Sequence, residues 1–438
     1  MKPSLSPAAW LLILLAVVCL PRITIDIYLP SLPVIGEALG LSEFQLSLTM
    51  TVYMAGYAVS MLVCGPLADR YGRRPVLIGG TALYLVATVA CALADSGGTL
   101  IVARLLQALG GCCGTVVGRV IVRDRFEKAE QVSYLSWISS GMALSPVVAP
   151  LIGSVIDVVL GWRWVFVTLA TVAAGLLVAL CTVVPETQPG RHDGGTLGCT
   201  PPAETGAADK VYMTRHEAGG FSQMVSDPAD PGRVAPQTGL LQLYLSLLRD
   251  RHFLRYSLII SAVYCTYFPF VAESSLVLQR TLGLSQMQYA AVFALTILGY
   301  LAGASVFRRR FGVWGAEGVL RRALGLNLLF SVVWALATSL CPRSLPAIVL
   351  PMMPVMLSVG MIIPACQFAV MQPHAAAVGA VSGLFFFIQM AVTALFGLVV
   401  ASLSDGSAAP MVWVSLVASG LAWGVARVFP AAGGEREG

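Results

Sequence analysis

Three ionisable residues stand in stretches that offer them little water: Asp26, Arg104 and Glu273. Asp26 lies three residues before the end of an apolar run that starts near Ala8. A charge deep in a bilayer costs at least about 2.5 kcal/mol, so an ionisable group there is a functional candidate by default. A carboxyl in a low-dielectric site can load and release a proton near neutral pH. Asp26 is therefore a candidate proton carrier. The alternatives are an acid at the membrane rim and one paired with Arg22, a turn earlier. Arg104 is always charged and needs a partner or a wet cavity. Arg104, Gln107, Gly111, Thr115 and Gly118 share one helical face at spacings of three and four. That face is small and polar, as a cavity or a close helix contact requires. Glu273 is a possible second acidic site, or a solvated rim residue. Tyr28, Met142, Tyr264, Tyr267, Phe386 and Gln389, with Gln107 and Gly111, could line an apolar cavity with few polar anchors, or could simply be packed.

The chain around these residues has 438 positions, 57% apolar and 11% charged. Soluble domains carry about 25% charge, and this much apolar surface would be a large sticky patch in water. A bilayer removes that conflict. The net charge of +5 forms no continuous basic stripe on any helix, so nucleic acid is not an expected partner. The ten cysteines lie almost all in apolar runs, with no CxxC pair and no Cys/His spacing suited to a metal. No nucleophile–base pair or phosphate loop appears, so neither an enzyme nor a cofactor is expected. The run after Lys2 continues through Tyr28 without a small-x-small cleavage site, and reads as a first span rather than a leader.

A helix that crosses a bilayer needs about 20 mostly apolar residues. That length predicts twelve spans, near 8–29, 44–66, 75–95, 98–119, 132–157, 162–184, 253–274, 286–307, 319–341, 345–371, 376–402 and 408–429. The expected fold class is an all-α membrane protein of two six-helix bundles. These are residues 1–185 and 251–430, joined by a linker at 186–250 and followed by a tail at 431–438. Within the linker, 186–238 is rich in Gly, Pro, Thr, Asp and Ala and reads as disordered. Leu240 to Arg251 reads as an amphipathic helix at the membrane surface. With the N-terminus inside, 22 of the 27 Lys and Arg fall on the cytoplasmic side, Arg119 among them, and three fall outside. That split sets both termini in the cytoplasm.

The halves repeat. Leu39-Gly40-Leu41-Ser42-Glu43-Phe44-Gln45 recurs as Leu282-Gly283-Leu284-Ser285-Gln286-Met287-Gln288, and Gly56-Tyr57 recurs as Gly299-Tyr300 in the same register. Parallel six-span repeats point to a transporter with its site between them. The strongest local motif is Gly65-Pro66-Leu67-Ala68-Asp69-Arg70-Tyr71-Gly72-Arg73-Arg74-Pro75, between spans 2 and 3. Gly65 would permit close helix approach, Asp69 would meet the positive end of a neighbouring helix, and Gly72 would make the turn. The motif resembles the G-x-x-x-D-R-x-G-R-R signature of the major facilitator superfamily, where this loop latches the two bundles. In the second half, Phe307-Arg308-Arg309-Arg310-Phe311-Gly312 has lost the acid.

Thr24-Ile25-Asp26-Ile27-Tyr28-Leu29-Pro30-Ser31-Leu32-Pro33 resembles a stretch of the Bcr/CflA drug-resistance subfamily. So do Arg104-Leu105-Leu106-Gln107-Ala108-Leu109-Gly110-Gly111 and Pro373-His374-Ala375. Gly141 and the run Ser145-Pro146-Val147-Val148-Ala149-Pro150-Leu151-Ile152-Gly153 resemble the span-5 antiporter motif. The resemblance implies a monomeric, proton-driven exporter of drugs or small metabolites in the bacterial inner membrane. It also implies that Arg104 communicates with a protonation site at Asp26. Rival readings are an importer or facilitator, and a sensor or scaffold that uses the central loop.

Overall fold

A computed structural model of the protein describes residues 6–188, 240–373 and 378–430. Among them every regular element is helical. The first half holds α1 (Pro7–Asp26), α2 (Leu32–Leu39), α3 (Glu43–Tyr71), α4 (Arg73–Ala92), α5 (Gly97–Arg125), α6 (Lys128–Leu160) and α7 (Trp162–Thr182). A short α8 (Leu240–Leu247) precedes the second half, which holds α9 (Arg251–Leu276), α10 (Gln286–Leu340), α11 (Leu345–Val349), α12 (Met352–Met371), α13 (Val378–Leu403) and α14 (Ala409–Val428). The 55 residues of α10 bend at Gly315, whose φ of 63° and ψ of 175° are not helical. Only glycine takes that conformation without strain. The bend makes α10 two crossings, so the described residues make twelve in all.

The structure departs from the sequence reading in three places. The loop expected at 308–318 is helical up to the bend. The surface helix expected to reach Arg251 ends at Leu247, and Asp250 caps α9 by accepting from the His252 amide at 2.8 Å. The first span does not stop at residue 29. A 3-10 turn at Leu29–Ser31 leads straight into α2, because Pro30 and Pro33 sit at first-turn positions where no amide donor is needed. Apolar helix therefore runs from Pro7 to Leu39, and Asp26 lies roughly 20 Å short of its far end at 1.5 Å per residue. Most of the loop read as disordered lies outside the described residues, as do 431–438 and the motif's His374 and Ala375.

The sequence repeat is a structural repeat. Gly40 (φ 62°) and Gly283 (φ 71°) turn the chain in the same left-handed conformation. Ser42 with Gln45, and Ser285 with Gln288, then close matching capping boxes on α3 and α10. A Cβ on Gly56 would come within 2.8 Å of the Leu105 carbonyl oxygen of α5, and one on Gly299 would strike the Met353 carbonyl of α12. In each half, glycine lets the second and fourth crossings touch backbone to backbone.

The outside of the bundle is apolar. Val86 (67% exposed), Val159 (71%) and Leu340 (81%) face outward, while Thr88, Arg104, Gln107 and Asn327 are fully buried. That inversion of a soluble protein suits a lipid surround. Asn327 shows how the interior satisfies its polar groups: its amide donates to Ser358 at 2.9 Å and accepts from Ser419 at 2.8 Å. The halves meet along α3 against α13 and α6 against α10.

Candidate functional site

Asp26, the last residue of α1, is fully buried. Its Oδ2 takes the Arg22 Nε at 3.3 Å and a hydrogen bond from the Ser145 hydroxyl at 3.3 Å. Among the described residues its Oδ1 has no hydrogen-bond partner. Arg22 also donates through Nη1 to the Tyr264 hydroxyl of α9 at 3.0 Å, so one guanidinium holds the first half's acid and touches the second half. The span-5 motif builds the wall behind Asp26. A Cβ on Gly141 would meet Leu15 at 2.6 Å, and one on Gly153 would overlap the Ile27 carbonyl. Pro146 and Pro150 lie inside the same helix. These small residues let α6 lie on α1 closely enough for Ser145 to reach the carboxylate.

Arg104 is fully buried on α5, and among the described residues it pairs with no carboxylate. Its guanidinium lies 4.4 Å from the ring centres of both Tyr28 and Tyr53. Nη1 donates to the Gln107 Oε1 at 2.7 Å, while among the described residues Nε and Nη2 have no hydrogen-bond partner. Gln107 donates on to Thr88 at 2.9 Å. Further along the same face, a Cβ on Gly111 would meet Tyr84 at 2.8 Å, Thr115 donates to the Val18 carbonyl at 3.3 Å, and a Cβ on Gly118 would meet Val18 at 2.6 Å. The face is thus a close helix contact and not a cavity wall.

Glu273 is a seam residue and not a solvated rim residue, being 3% exposed. Ser47 of α3 donates to its Oε1, and Ser404 donates to its Oε2 at 2.8 Å. Further bonds close this end of the molecule between the halves. Ser275 donates to the Leu29 carbonyl at 2.5 Å, Gln279 to the Pro30 carbonyl at 3.0 Å, and Arg280 to the Pro33 carbonyl at 3.1 Å. The Gln286 amide reaches Asp157 at 2.9 Å.

The opposite end, which carries Arg70, Arg73 and Arg74, contains an open cavity of about 650 Å³. It lies between α5 and helices α10, α12 and α13, with Arg119, Phe307, Phe311, Gln367, Phe368 and Phe386 among its walls. Of the residues expected to line a cavity, Phe386 is the one found among the walls of this one. Tyr28 is clamped on Arg104. Gln107 and Gly111 are packed as above. Tyr264 and Tyr267 are buried with their rings 4.6 Å apart, and Gln389 is buried with its Oε1 unpartnered. Met142 stands beside the cavity, its sulfur accepting from Arg119 at 3.3 Å. From sequence Arg119 reads only as an orienting charge.

In the signature loop, Asp69 pairs with Arg73 at 2.6 Å, and Arg73 also holds Asp124 at 3.0 Å. Asp69 does not meet a helix end. That place is taken by Glu186, whose carboxylate accepts from the Arg73 and Arg74 amides at the start of α4, at 2.9 and 3.2 Å. Burial alone would raise the Glu186 pKa, but the amides of Gln188, Arg73, Thr187 and Arg74 outweigh it and hold the carboxyl below its usual 4.5. Gly72 turns the chain at φ 102°. Arg74 donates to the Cys181 carbonyl at 2.5 Å, and Arg70 lies over the Tyr71 ring at 5.3 Å. Among the described residues nothing lies within 4 Å of where a Cβ on Gly65 would be, so no described helix approaches closely there. The second half has its own version of the acid missing from its motif. Glu317 takes both terminal nitrogens of Arg255, at 2.6 and 2.9 Å.

A family model described as Major Facilitator Superfamily matches residues 14–397. The chain belongs to the major facilitator superfamily. It is similar to the multidrug resistance protein MdtL of Escherichia coli O45:K1 (strain S88 / ExPEC), 39% identical over 174 residues, 40% of this chain and 44% of that protein. With MdtL of Escherichia fergusonii it is 31% identical over 281 residues, 64% of this chain and 61% of the relative. In these matches the chain spans less than two thirds of the relatives' length. Among solved structures it is similar to a bacterial homologue of the human lysosomal transporter Spinster, inward-facing and unoccupied. That likeness has a TM-score of 0.71 at 16% identity and covers 98% of this chain and all of that one. A D-xylose–proton symporter matches with a TM-score of 0.67 at 13% identity, over 94% of this chain and 96% of that chain. At these identities the likeness concerns the major facilitator fold alone.

Proposed function

We propose that the protein is a proton-coupled secondary transporter that exports drugs or small metabolites across the bacterial inner membrane by alternating access. One observation carries the reading: the buried acid Asp26 shares its basic partner, Arg22, with Tyr264 of the other half. A charged Asp26 holds Arg22 in place. A proton on Asp26 removes that hold, and with it a reason for the two halves to stay in contact at this point. Proton binding and movement of the halves therefore act on one guanidinium. The Bcr/CflA-like stretches and the multidrug resistance relatives support export.

The moving bodies are residues 1–185 and 251–430, linked through 186–250. The signature loop acts as the latch between them, and Arg104 holds α5 to the helix that carries Asp26. The 22-to-3 split of Lys and Arg favours a cytoplasmic location for the arginine-rich end, for both termini and for the mouth of the cavity. The unit is a monomer that exchanges protons for a small molecule. One proton entering down a potential of about 100 mV contributes about 2.3 kcal/mol. At one-to-one exchange that supports roughly a fifty-fold gradient of a neutral solute.

The test is transport by reconstituted vesicles with an imposed proton gradient. Asp26→Asn is expected to abolish gradient-driven accumulation while counterflow down the substrate's own gradient persists. Unchanged proton-driven transport by Asp26→Asn would sink the proposal.

A further inference from the structure

Resting on that transport reading, we infer that the cavity at the arginine-rich end binds aromatic organic monoanions, and that Arg119 both holds their carboxylate and turns organic cations away. The cavity's volume of about 650 Å³ lies within the range of about 300–1,000 Å³ usual for small-molecule sites. Its apolar wall comes from the second half. The Phe307 and Phe311 rings are 5.1 Å apart, and Phe311 meets Phe368 edge-on at 4.8 Å. Among the described residues its one charged side chain, Arg119, comes from the first half.

Two facts set the sign of the ligand. First, among the described residues no acidic side chain lines the cavity. Asp26 is engaged by Arg22 and Ser145, Asp124 by Arg73, and Glu317 by Arg255. Second, among the described residues the hydrogen-bond partner found for Arg119 is a thioether, a weak acceptor. A guanidinium presents a planar fork of donors that fits a carboxylate with two bonds. Here that fork is half-buried beside rings and, among the described residues, pairs with no carboxylate. Aromatic walls by themselves would suit a cation, but the Phe386 ring already faces Arg119, at 5.9 Å. A second cation would enter beside an unneutralised first one.

The experiment compares two probes on the full-length protein in detergent, without any gradient: dansylglycine and N-dansylethylenediamine. They share a fluorophore and carry opposite charges. The expected result is saturable binding of the anion at least tenfold tighter than of the cation. Arg119→Gln should cut that ratio at least tenfold, and Arg119→Lys should keep it. Phe307→Ala should weaken the anion's binding. Equal binding of the two probes by the wild-type protein overturns the inference, as does a folded Arg119→Gln protein with the wild-type ratio. If Arg119→Gln does not fold, Ser382→Cys in the cavity wall decides: the anion must slow its maleimide labelling and the cation must not. Charge discrimination in this assay together with transport indifferent to protons would refute the export reading alone. Proton-driven transport without the discrimination would refute only the assignment of the ligand.

Discussion

Tyr264→Phe removes one hydroxyl from the contact between the halves and nothing else. The lost bond runs from the Arg22 guanidinium at 3.0 Å. A hydrogen bond to a charged group contributes about 1.5–3 kcal/mol net. Arg22 keeps Asp26 after the change, and its side chain is 19% exposed, so water can replace part of what is lost. The lower figure, about 1.5 kcal/mol, is therefore the appropriate one, and it corresponds to about a tenfold shift between conformers. The conformer weakened is the one seen here, in which the end bearing Glu273 is sealed. Ser31, 1% exposed, lies in that seal between Pro30 and Leu32. A Ser31→Cys reporter, with Cys181, Cys199 and Cys341 replaced by Ser, becomes reachable by an impermeant maleimide only when the seal opens. Its labelling rate in vesicles should rise about tenfold on adding Tyr264→Phe, following the open population. Rates within twofold of each other would refute the claim that Arg22 links the halves.

Gly153→Val should lower the melting temperature and abolish transport, because its side chain would occupy the Ile27 carbonyl; overpacking of this kind costs about 1–3 kcal/mol. Gly175→Ala on α7, with open space around it, should melt at or above the wild type. Arg104→Lys should behave as a disruptive change. Its ammonium does not reproduce a flat guanidinium between two rings, and a desolvated cation–π contact is worth about 2 kcal/mol; wild-type melting would refute the aromatic cage. Glu186 should make stability pH-dependent. Its carboxyl is held below 4.5 in the folded protein, so its contribution is complete above that value and disappears as pH falls through the depressed folded value. Glu186→Gln should flatten that part of the melting profile, and an unchanged acid limb would refute the role of Glu186 as the cap of α4.

The spans were legible because apolar length is a one-dimensional property, and so is the i, i+4 spacing that pairs Arg22 with Asp26. The repeated Leu-Gly-Leu-Ser segment was legible for the same reason: its glycine turn and capping box involve only residues three or four apart. Arg104 was half legible. Its burial followed from its surroundings, but the aromatic cage that stabilises it comes from Tyr28 and Tyr53 on other elements, and no motif records which rings a folded bundle brings there. The cavity was the largest miss. Arg119 sits two turns inside the end of α5, where an arginine can either point to the aqueous boundary or turn back between the halves, and only its lateral neighbours decide which. Gly65 misled in the opposite direction: a small residue permits close approach but does not supply a partner, and here none comes.

Asp26, Arg104 and Glu273, the three buried charges singled out from sequence, are stabilised in three different ways, and that difference ranks these three for coupling. The partners found for Arg104 all lie in the first half: Tyr28, Tyr53 and Gln107. Those contacts persist whichever way the halves tilt, so Arg104 can position α5 against α1 without sensing the cycle. Glu273 is held across the seam, but by the hydroxyls of Ser47 and Ser404. Hydroxyls can donate to a carboxylate or accept from a carboxylic acid by rotating, so a proton there changes little in what the seam can hold. Asp26 differs from both. Its partner is a fixed positive charge that cannot rotate into an acceptor, and that same charge reaches Tyr264 in the other half. Protonating Asp26 leaves Arg22 with half of its anchorage. On the proposed cycle, therefore, Asp26 is the site where a proton alters what joins the two halves.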